Sequence, residues 1–368
     1  VAYQSEIAHT TRYCELGTMI GDKDWSFVER VLNDCCPLKH AVSYCHEKGM
    51  PILGRLAMNR HYGKKIHSGL TSRFAMEHPE YWEVAKNGEP MKDKLCYAIE
   101  EVRQERLEIL LEIQRKGVDA LVLDYCRQMP ILAYHDSLVI PYINKTGFDP
   151  RKIESTNKED YRDWFQYRAD VLTSFMEELR KQVQAQEKMI GKPCPIIARI
   201  PDSAEWLLLA YGIDVERWMR DDLIDATMLS PFPITKEDPE FHTGYHVQLA
   251  HQFGKLCMGG IGSKNMKVSG EFENTGYYDP QPVYELVNSQ YQTDVDAMTI
   301  YQTDTLLRLT YLSDLLENIS DPQQVSHLTE TLPEPSFPDH YPIGLDWHTK
   351  LPNFQHGLSV KEYRHRAL

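Results

Sequence analysis

The chain of 368 residues is long enough for one large α/β domain or two smaller domains, and its 42% hydrophobic and 10% aromatic content excludes a mostly disordered protein. The formal net charge of −14 at pH 7 argues against tight binding to nucleic acid or to an anionic membrane, because no basic stripe offsets the repulsion. No run of about 18 apolar residues indicates a membrane span. The composition therefore favours neutral or cationic ligands over polyanions.

The cysteine and histidine patterns predict no metal site. The eight cysteines are scattered, without a C-x-x-C pair or zinc-ribbon spacing, and most are predicted to be buried small hydrophobic side chains. His242 and His246 are one helical turn apart, but no H-E-x-x-H motif is present. The chain begins at Val1 without a charged and then apolar leader, so we expect a removed leader or tag, or an excised domain.

The first half of the chain alternates helical and strand patterns. Residues 22–46 have near-helical apolar spacing that Pro37 interrupts, and residues 46–59 read as a helix end, a glycine stop and a strand. Residues 61–91 are polar and aromatic, which predicts a substrate-facing loop, and a short strand is expected at 95–99. A helix at 101–116 then leads into the apolar segment 118–123, which ends at Asp124.

This apolar segment is the strand around which the prediction is built. A near-continuous apolar run flanked by helices is typical of a parallel strand that is covered on both faces. In parallel barrels, catalytic residues collect where such strands end. We therefore predict that Asp124 is a catalytic carboxylate at the C-terminal rim of a barrel.

The second half of the chain continues the alternation. A polar and aromatic excursion at 129–157 precedes a long helix at 158–188. Further strands are predicted at 195–200, 223–230, 255–261 and 296–300, and further helices at 206–220, 245–253 and 282–292. No internal repeat is evident.

About seven strand candidates separated by helices predict a parallel sheet, and their spread over one undivided span favours an α/β (β/α)8 TIM-type barrel with long loops at its C-terminal rim. An open doubly wound sheet is the alternative, but the chain has neither a G-x-G-x-x-G motif after an early strand nor a G-x-x-x-x-G-K-[ST] loop. We predict a catalytic barrel over residues 1–330 and a C-terminal extension rich in proline and aromatic residues, 331–368, packed on it.

The segment Val118-Asp-Ala-Leu-Val-Leu-Asp-Tyr-Cys-Arg127 resembles the strand-four signature of glycosyl-hydrolase-like family ten, in which an aliphatic strand ends in Asp-Tyr-x-Arg. This family is distinct from the family-ten xylanases. Residues 46–59, 218–226 and 295–301 look similar in the same order. The resemblance implies a TIM-barrel carbohydrate-active enzyme, often exported from bacteria and hence secreted or periplasmic, with Asp124 as an active-site carboxylate and Tyr125 and Arg127 beside it. The long excursion after Gln128 and the Ser-Pro-Phe-Pro end of the sixth strand depart from the family pattern.

Glycoside cleavage needs two carboxyl groups, one that protonates the leaving oxygen and one that attacks or activates water. We assign the attack to Asp124 in a retaining mechanism; the alternative is a structural aspartate bonded to Arg127 or Arg199. Glu271 and Glu273 would face the same side of an extended loop, and Glu271 is the preferred acid/base, although both also suit a solvated loop. Asp202 is a substitute, but it also reads as the N-cap of the helix that follows it.

Residues at predicted strand tips and in loops are candidates for binding sugar hydroxyls or stacking on sugar rings, although each also suits a structural role. These candidates are Asn59, Arg60, Trp82, Tyr125, Arg127, Arg199, Tyr301 and Gln302. No cofactor is predicted, and carbohydrate is the expected partner. The sequence thus favours a glycoside hydrolase of a polysaccharide or glycan; an inactive carbohydrate-binding barrel and a sugar lyase or isomerase are the alternatives.

Overall fold

The protein is described here from a computed structural model. The description covers residues 3–8, 34–61, 72–126, 129–154, 157–230, 240–262, 281–301 and 312–331. The chain divides into two units, the first made of Val1–Ile200 and Ala204–Ala226 and the second of Pro201–Ser203 and Thr227–Leu368. Within the described ranges, no helix is both long enough and apolar enough to cross a membrane.

The first unit begins with alternating helices and strands. Its elements in chain order are α1 (Pro37–Glu47), β1 (Leu53–Ala57), α2 (Arg73–Glu77), β2 (Trp82–Val84), β3 (Pro90–Leu95), α3 (Glu100–Arg115), β4 (Ala120–Asp124), α4 (Asp136–Thr146), α5 (Lys158–Ile190), β5 (Ile196–Pro201), α6 (Glu205–Ala210) and α7 (Val215–Arg220). Strand β4 lies between β1 and β5 and pairs in parallel with both. Every residue of β4 and β5 is buried, as expected for parallel strands covered on both faces.

The second unit repeats this alternation. Its elements are β6 (Ala226–Ser230), α8 (Thr243–Gln252), β7 (Leu256–Gly262), α9 (Gln281–Tyr291), β8 (Ala297–Tyr301), α10 (Ser313–Asn318) and α11 (Pro322–Thr331). Strand β7 lies between β6 and β8 and pairs in parallel with β8. An apolar cluster that includes Ile261, Val287 and Leu315 packs β7, α9 and α10 together. The alternation of parallel strands and helices confirms the predicted α/β fold of the TIM type.

Several predicted boundaries are wrong. The segment predicted as a loop at 61–91 contains α2 and β2, and β2 pairs with β3 in a separate antiparallel sheet. The excursion at 129–157 contains α4, and the helix predicted at 206–220 is two short helices, because Gly212 takes a positive φ of 89° between them. The extension at 331–368 lies outside the described residues except for Thr331, so it stays a prediction.

Three strands begin directly after an aspartate that clamps the neighbouring strand. Asp119, before β4, accepts a hydrogen bond from the N–H of Ile52 at 2.7 Å and donates its own N–H to the carbonyl of Ile52 at 2.8 Å. Asp225 binds Ile196 in the same way, at 2.7 and 2.8 Å. Asp296 binds Cys257 at 2.7 and 3.0 Å. We call each such aspartate, together with the side chains and main-chain groups that bind it, an aspartate clamp.

Each clamp also includes a basic side chain from the helix that precedes the clamped strand. The bases are His46 of α1 at 3.0 Å, Arg180 of α5 at 2.8 Å and His251 of α8 at 3.1 Å. In sequence the clamps share the pattern Val/Ile-Asp-Ala, at residues 118–120, 224–226 and 295–297. The sequence analysis did not single out this pattern, because three residues are too few to stand out without the strand pairing.

Of the three clamps, that of Asp119 has the most partners, because Nζ of Lys192 also lies 2.7 Å from its carboxylate. Partial burial opposes ionisation of Asp119, but the bonds from Lys192, the Ile52 N–H and His46 outweigh it and hold the pKa well below its usual value. The clamp is therefore at full strength only while Asp119 is ionised.

We predict that Asp119→Ala lowers the free energy of unfolding by about 1–3 kcal/mol, because the Ile52 N–H loses its acceptor. A folded-state pKa below the unfolded value of about 3.9 contributes stability above that value. The difference in unfolding free energy between Asp119→Ala and wild type, measured by urea denaturation, should be largest near pH 6 and should shrink as the pH falls below about 4.

The matched control is Asp221→Ala, which removes an aspartate that pairs with Arg217 and Arg220 at the surface. We expect it to change the unfolding free energy by about 0–1 kcal/mol. Equal effects of the two substitutions, or a pH-independent effect of Asp119→Ala, would contradict the clamp.

Candidate active site at the carboxyl end of β4

Asp124 is the last residue of β4, and the strand pairing places two arginines beside it. Asp124 pairs directly with Arg199 on β5, while Arg55 on β1 pairs with Val122, two residues before Asp124. Because side chains alternate along a strand and paired residues share a face, these three polar side chains lie on one face of the sheet.

The opposite face of the same strands is covered by helices. A Cβ atom at Gly54 would clash with Ile113 of α3, so β1 and α3 pack closely there. Tyr125, one residue beyond Asp124, is fully buried, with its hydroxyl 3.1 Å from the sulfur of Met176 and its ring 5.3 Å from that of Trp218. Tyr125 therefore packs in the core, away from the face of Asp124, and is not part of the site that we propose.

The carboxylate of Asp124 has partners on both oxygens. Its Oδ1 accepts hydrogen bonds from Nη1 of Arg199 at 3.0 Å and from the N–H of Cys126 at 2.9 Å. Its Oδ2 accepts a hydrogen bond from Nη2 of Arg55. The structural pair with Arg199, the alternative to a catalytic role in the sequence analysis, is thus present, and Arg55 is a second partner that the sequence analysis did not name.

The two arginines keep Asp124 ionised. Burial opposes the charged form, but the charges of Arg199 and Arg55, together with the Cys126 N–H, outweigh it and hold the pKa of the carboxyl below its usual value. At neutral pH the side chain is therefore a carboxylate. A carboxylate can attack, accept a proton or stabilise a positive charge, but it has no proton to give.

The chain that follows the Asp124 strand is held by buried polar side chains. The four carbonyls from residue 129 to residue 132 accept hydrogen bonds from three side chains of the first unit. Lys94 donates to the first two at 3.0 and 3.4 Å, Asn59 to the third at 2.8 Å and Arg168 to the fourth at 2.6 Å. Glu83 accepts a bond from the next N–H, that of Ala133. Buried main-chain groups need such partners, so these side chains define the path of residues 129–133.

Glu83 and Arg168 are the charged members of this set, and both are buried. Burial raises the pKa of Glu83, while burial lowers the pKa of Arg168 to about 10, which leaves it charged at neutral pH. Arg168 also donates to the carbonyl of Ala210 at 2.7 Å and lies 5.0 Å from the ring of Phe165. Both residues therefore serve the packing of this segment.

Asn59 has a structural place. Besides its bond to residue 131, its amide donates to the carbonyl of Leu95 at 3.2 Å, and its oxygen accepts from the Leu95 N–H at 2.9 Å. Asn59 is buried, with both ends of its amide bound to main chain. The predicted contact with sugar hydroxyls would require these bonds to break.

Three further candidates are only partly buried. Trp82, at the start of β2, donates from its indole to the carbonyl of Ala75 at 2.8 Å, and Nζ of Lys92 lies 5.3 Å from its ring. Arg60 follows Asn59 directly, and Tyr301 ends β8 in the second unit. Their exposed surface is compatible with the predicted contacts to sugar, which stay predictions.

Asp202, in the second unit, binds the start of α8. Its Oδ1 accepts the N–H of His242 at 2.9 Å, and its Oδ2 accepts the hydroxyl of Thr243 at 2.5 Å. The expectation that Asp202 caps the helix immediately after it is wrong, because the N-cap of α6 is Ala204. The capping chemistry was recognised, but the sequence does not reveal which helix start lies nearest in space.

Four of the predicted site residues, Arg127, Glu271, Glu273 and Gln302, lie outside the described residues. Among the residues that are described, no three or more His, Cys, Asp or Glu side chains are grouped to hold a metal ion. His246 is buried, and burial lowers its pKa to about 4, so it is uncharged at neutral pH.

Sequence reasoning missed Arg55, Glu83, Lys94 and Arg168, which are charged residues inside segments assigned to the core or to loops. One of them had a usable signal. Arg168 lies one helical turn from Trp164 and from Leu172, on the apolar stripe of α5, and a lone charge on such a stripe indicates a buried hydrogen-bonding role.

No protein-family model and no curated protein matches this sequence. Among solved structures, the catalytic domain of β-amylase from Paenibacillus polymyxa is similar at 11% identity and a TM-score of 0.48, over 86% of this chain and 87% of that chain. The glycoside hydrolase domain of PelA from Pseudomonas aeruginosa is similar at 10% identity and a TM-score of 0.40, over 72% and 83%.

Trehalose-6-phosphate hydrolase from Bacillus licheniformis is similar at 10% identity and a TM-score of 0.39, over 79% of this chain and 59% of that chain. Likenesses at this level carry no argument about activity. Membership of glycosyl-hydrolase-like family ten stays a prediction from the sequence.

We predict that Asn59→Leu, which keeps the size of the side chain, lowers the free energy of unfolding by about 2–5 kcal/mol, because the buried groups of residues 95 and 131 lose their partners. Asn87→Leu is the control, since Asn87 is exposed and accepts one turn bond from the N–H of Glu89 at 3.1 Å. Guanidinium denaturation measures both. If Asn59→Leu is as stable as wild type but binds glycan more weakly, the result would support the predicted role of Asn59 in binding substrate instead.

Proposed function

We propose that this protein is a glycoside hydrolase of the retaining type, in which Asp124 is the nucleophile. The observation that supports this proposal is an ionised carboxylate at the carboxyl end of a buried parallel strand in a TIM-type fold. Active sites of such folds are built at that end of the strands. The resemblance of residues 118–127 to glycosyl-hydrolase-like family ten points to the same residue.

The charge state of Asp124 selects its role. In a retaining mechanism the nucleophile must be unprotonated, while the acid must hold a proton at the working pH. A carboxyl whose pKa is held low by two guanidinium groups fits the first requirement and fails the second. We therefore assign protonation of the leaving group to a second carboxyl group, with Glu271 preferred and Glu273 and Asp202 as substitutes.

The proposed reaction has two steps. A carboxylate oxygen of Asp124 bonds to the anomeric carbon as the bond from that carbon to the leaving oxygen breaks, and the leaving oxygen takes the electron pair and the proton of the second carboxyl group. Water then attacks the anomeric carbon, the bond from that carbon to the Asp124 oxygen breaks, and the proton of the water passes to the second carboxylate, which restores both groups. The expected substrate is a polysaccharide or glycan, cleaved without a cofactor.

One observation favours a second candidate function, a barrel that binds carbohydrate without cleaving it. The side chain of Asp124 has no exposed surface, and both of its oxygens already accept hydrogen bonds. A purely structural aspartate has this environment as well. The two functions differ in whether a glycan is cut, which makes the distinction experimental.

We predict that Asp124→Asn lowers reducing-sugar release from a cleaved glycan by roughly 10³-fold or more, because the amide is a poor nucleophile. The substrate is found by testing the wild type on a broad panel of polysaccharides and glycans. The amide oxygen can still accept the bond from Arg199, and circular dichroism checks that the variant is folded.

Asp221→Asn is the matched control, since Asp221 pairs with Arg217 and Arg220 at the surface and should change stability by about 0–1 kcal/mol and leave the rate near that of wild type. Wild-type release by a folded Asp124→Asn protein would refute the proposed nucleophile. Binding of a glycan without release by the wild type would favour the second candidate function.

A separate prediction concerns the acid. Glu271→Gln should slow cleavage of the natural glycan but leave cleavage of an aryl glycoside with an acidic phenol largely intact, because such a phenol departs without protonation. Glu273→Gln should show this split instead if Glu273 is the acid. The split is measured by steady-state rates of each variant on the natural glycan and on the aryl glycoside. A variant that slows cleavage of both substrates equally would show that the altered residue has another role.

A further inference from the structure

The two arginines that bind Asp124 differ in their surroundings. The side chain of Arg199 is 4% exposed and lies on β5, a strand buried along its whole length. The side chain of Arg55 is 42% exposed and lies on β1, whose residues alternate between buried and exposed. Between them, the side chain of Asp124 is 0% exposed.

The two oxygens of Asp124 differ in the same way. Oδ1 is bound by the buried Arg199 and by the main-chain N–H of Cys126, two residues beyond Asp124. Oδ2 is bound by the half-exposed Arg55. The side of the carboxylate that is closest to solvent is therefore the side that Arg55 covers.

The free energy needed to separate a guanidinium from Asp124 also differs between the two arginines. Arg55 is half-exposed, so its guanidinium can move into water and regain hydration while Arg199 still pairs with the buried carboxylate. A guanidinium buried beside its carboxylate cannot separate from it without leaving an unpaired buried charge. Of the two partners, Arg55 is the one that a ligand can displace.

We propose that Arg55 is a displaceable cover over Asp124: it leaves Oδ2 when substrate binds, while Arg199 and the Cys126 N–H keep hold of Oδ1. The inference rests on the proposed function for the nature of the ligand, and it makes Oδ2 the oxygen that reacts. Arg55 is then a positioning residue, which acts through the accessibility and the charge of Asp124.

The cover can be tested without any substrate. A water-soluble carbodiimide with glycine ethyl ester labels accessible carboxyl groups, and peptide mass spectrometry reports the labelled fraction at Asp124. Labelling should rise several-fold in Arg55→Met relative to wild type. Arg151→Met is the matched control, because Arg151 is 38% exposed and pairs with Asp149, away from Asp124. Unchanged labelling in Arg55→Met would overturn the cover.

Kinetics test the displacement. Arg55→Met should lower KM, because substrate no longer competes with the guanidinium, whereas a role of Arg55 in binding substrate would raise KM and overturn the proposal. The charged groups that face Asp124 within the described residues are Arg55 from β1 and Arg199 from β5. Loss of one positive charge raises the pKa of Asp124, so the acid limb of the rate profile should move to higher pH.

Arg55→Lys keeps the charge and should return the acid limb toward its wild-type position, which a merely structural role of Arg55 would not predict. If Arg55→Met is too unstable to assay, Arg55→Lys is labelled in its place: the smaller ammonium group should leave Oδ2 more accessible, so that higher labelling at Asp124 supports the cover and unchanged labelling overturns it. A wild type that cleaves no glycan would refute the proposed function, and the labelling would still decide whether Arg55 covers Asp124.

Discussion

Strand register is the constraint on which the described part of the site depends, and the aspartate clamps set it from the opposite end of the strands. Asp119 fixes β4 against Ile52 just before β1, with one main-chain hydrogen bond and one bond from the Ile52 N–H to its carboxylate. A slip of one residue would turn every side chain of β4 to the other face. The same clamp therefore determines that Asp124 faces the two arginines and that Tyr125 faces the helices.

Two kinds of buried charge follow from that register, and they differ in the groups that stabilise them. Asp124 and Arg199 neutralise each other directly, which keeps an ionised carboxylate inside the protein. Arg168 and Lys94 instead donate to main-chain carbonyls, so their charge is stabilised by peptide dipoles. The second arrangement gives an irregular segment a defined path directly after the strand that ends in Asp124, where a helix or a sheet would otherwise be needed to satisfy the main chain.

The sequence predicted the strand that ends at Asp124 and the α/β fold, because each depends on patterns within a short window, and it offered Arg199 as one alternative partner of Asp124 because both residues end predicted strands. It did not predict Arg55, since the neighbour of a parallel strand is set by pairing between segments far apart in the chain. Tyr125 shows a different limit. The period of two along a strand would have placed it opposite Asp124, but the family resemblance drew attention to the two residues as a pair. Asn59 shows that a polar strand tip can be wholly engaged by main chain.

The environment of Asp124 narrows its chemistry further than its position does. Carboxyl groups that donate protons near neutral pH sit in apolar surroundings that raise their pKa, as burial does for Glu83. Asp124 has the opposite surroundings, because its two guanidinium partners outweigh the burial. A site at the end of β4 that used Asp124 as its acid would work against this charge distribution. Nucleophilic attack by Asp124 on an electron-poor carbon, with Arg199 holding one carboxylate oxygen in place, uses the ionised form that this charge distribution favours.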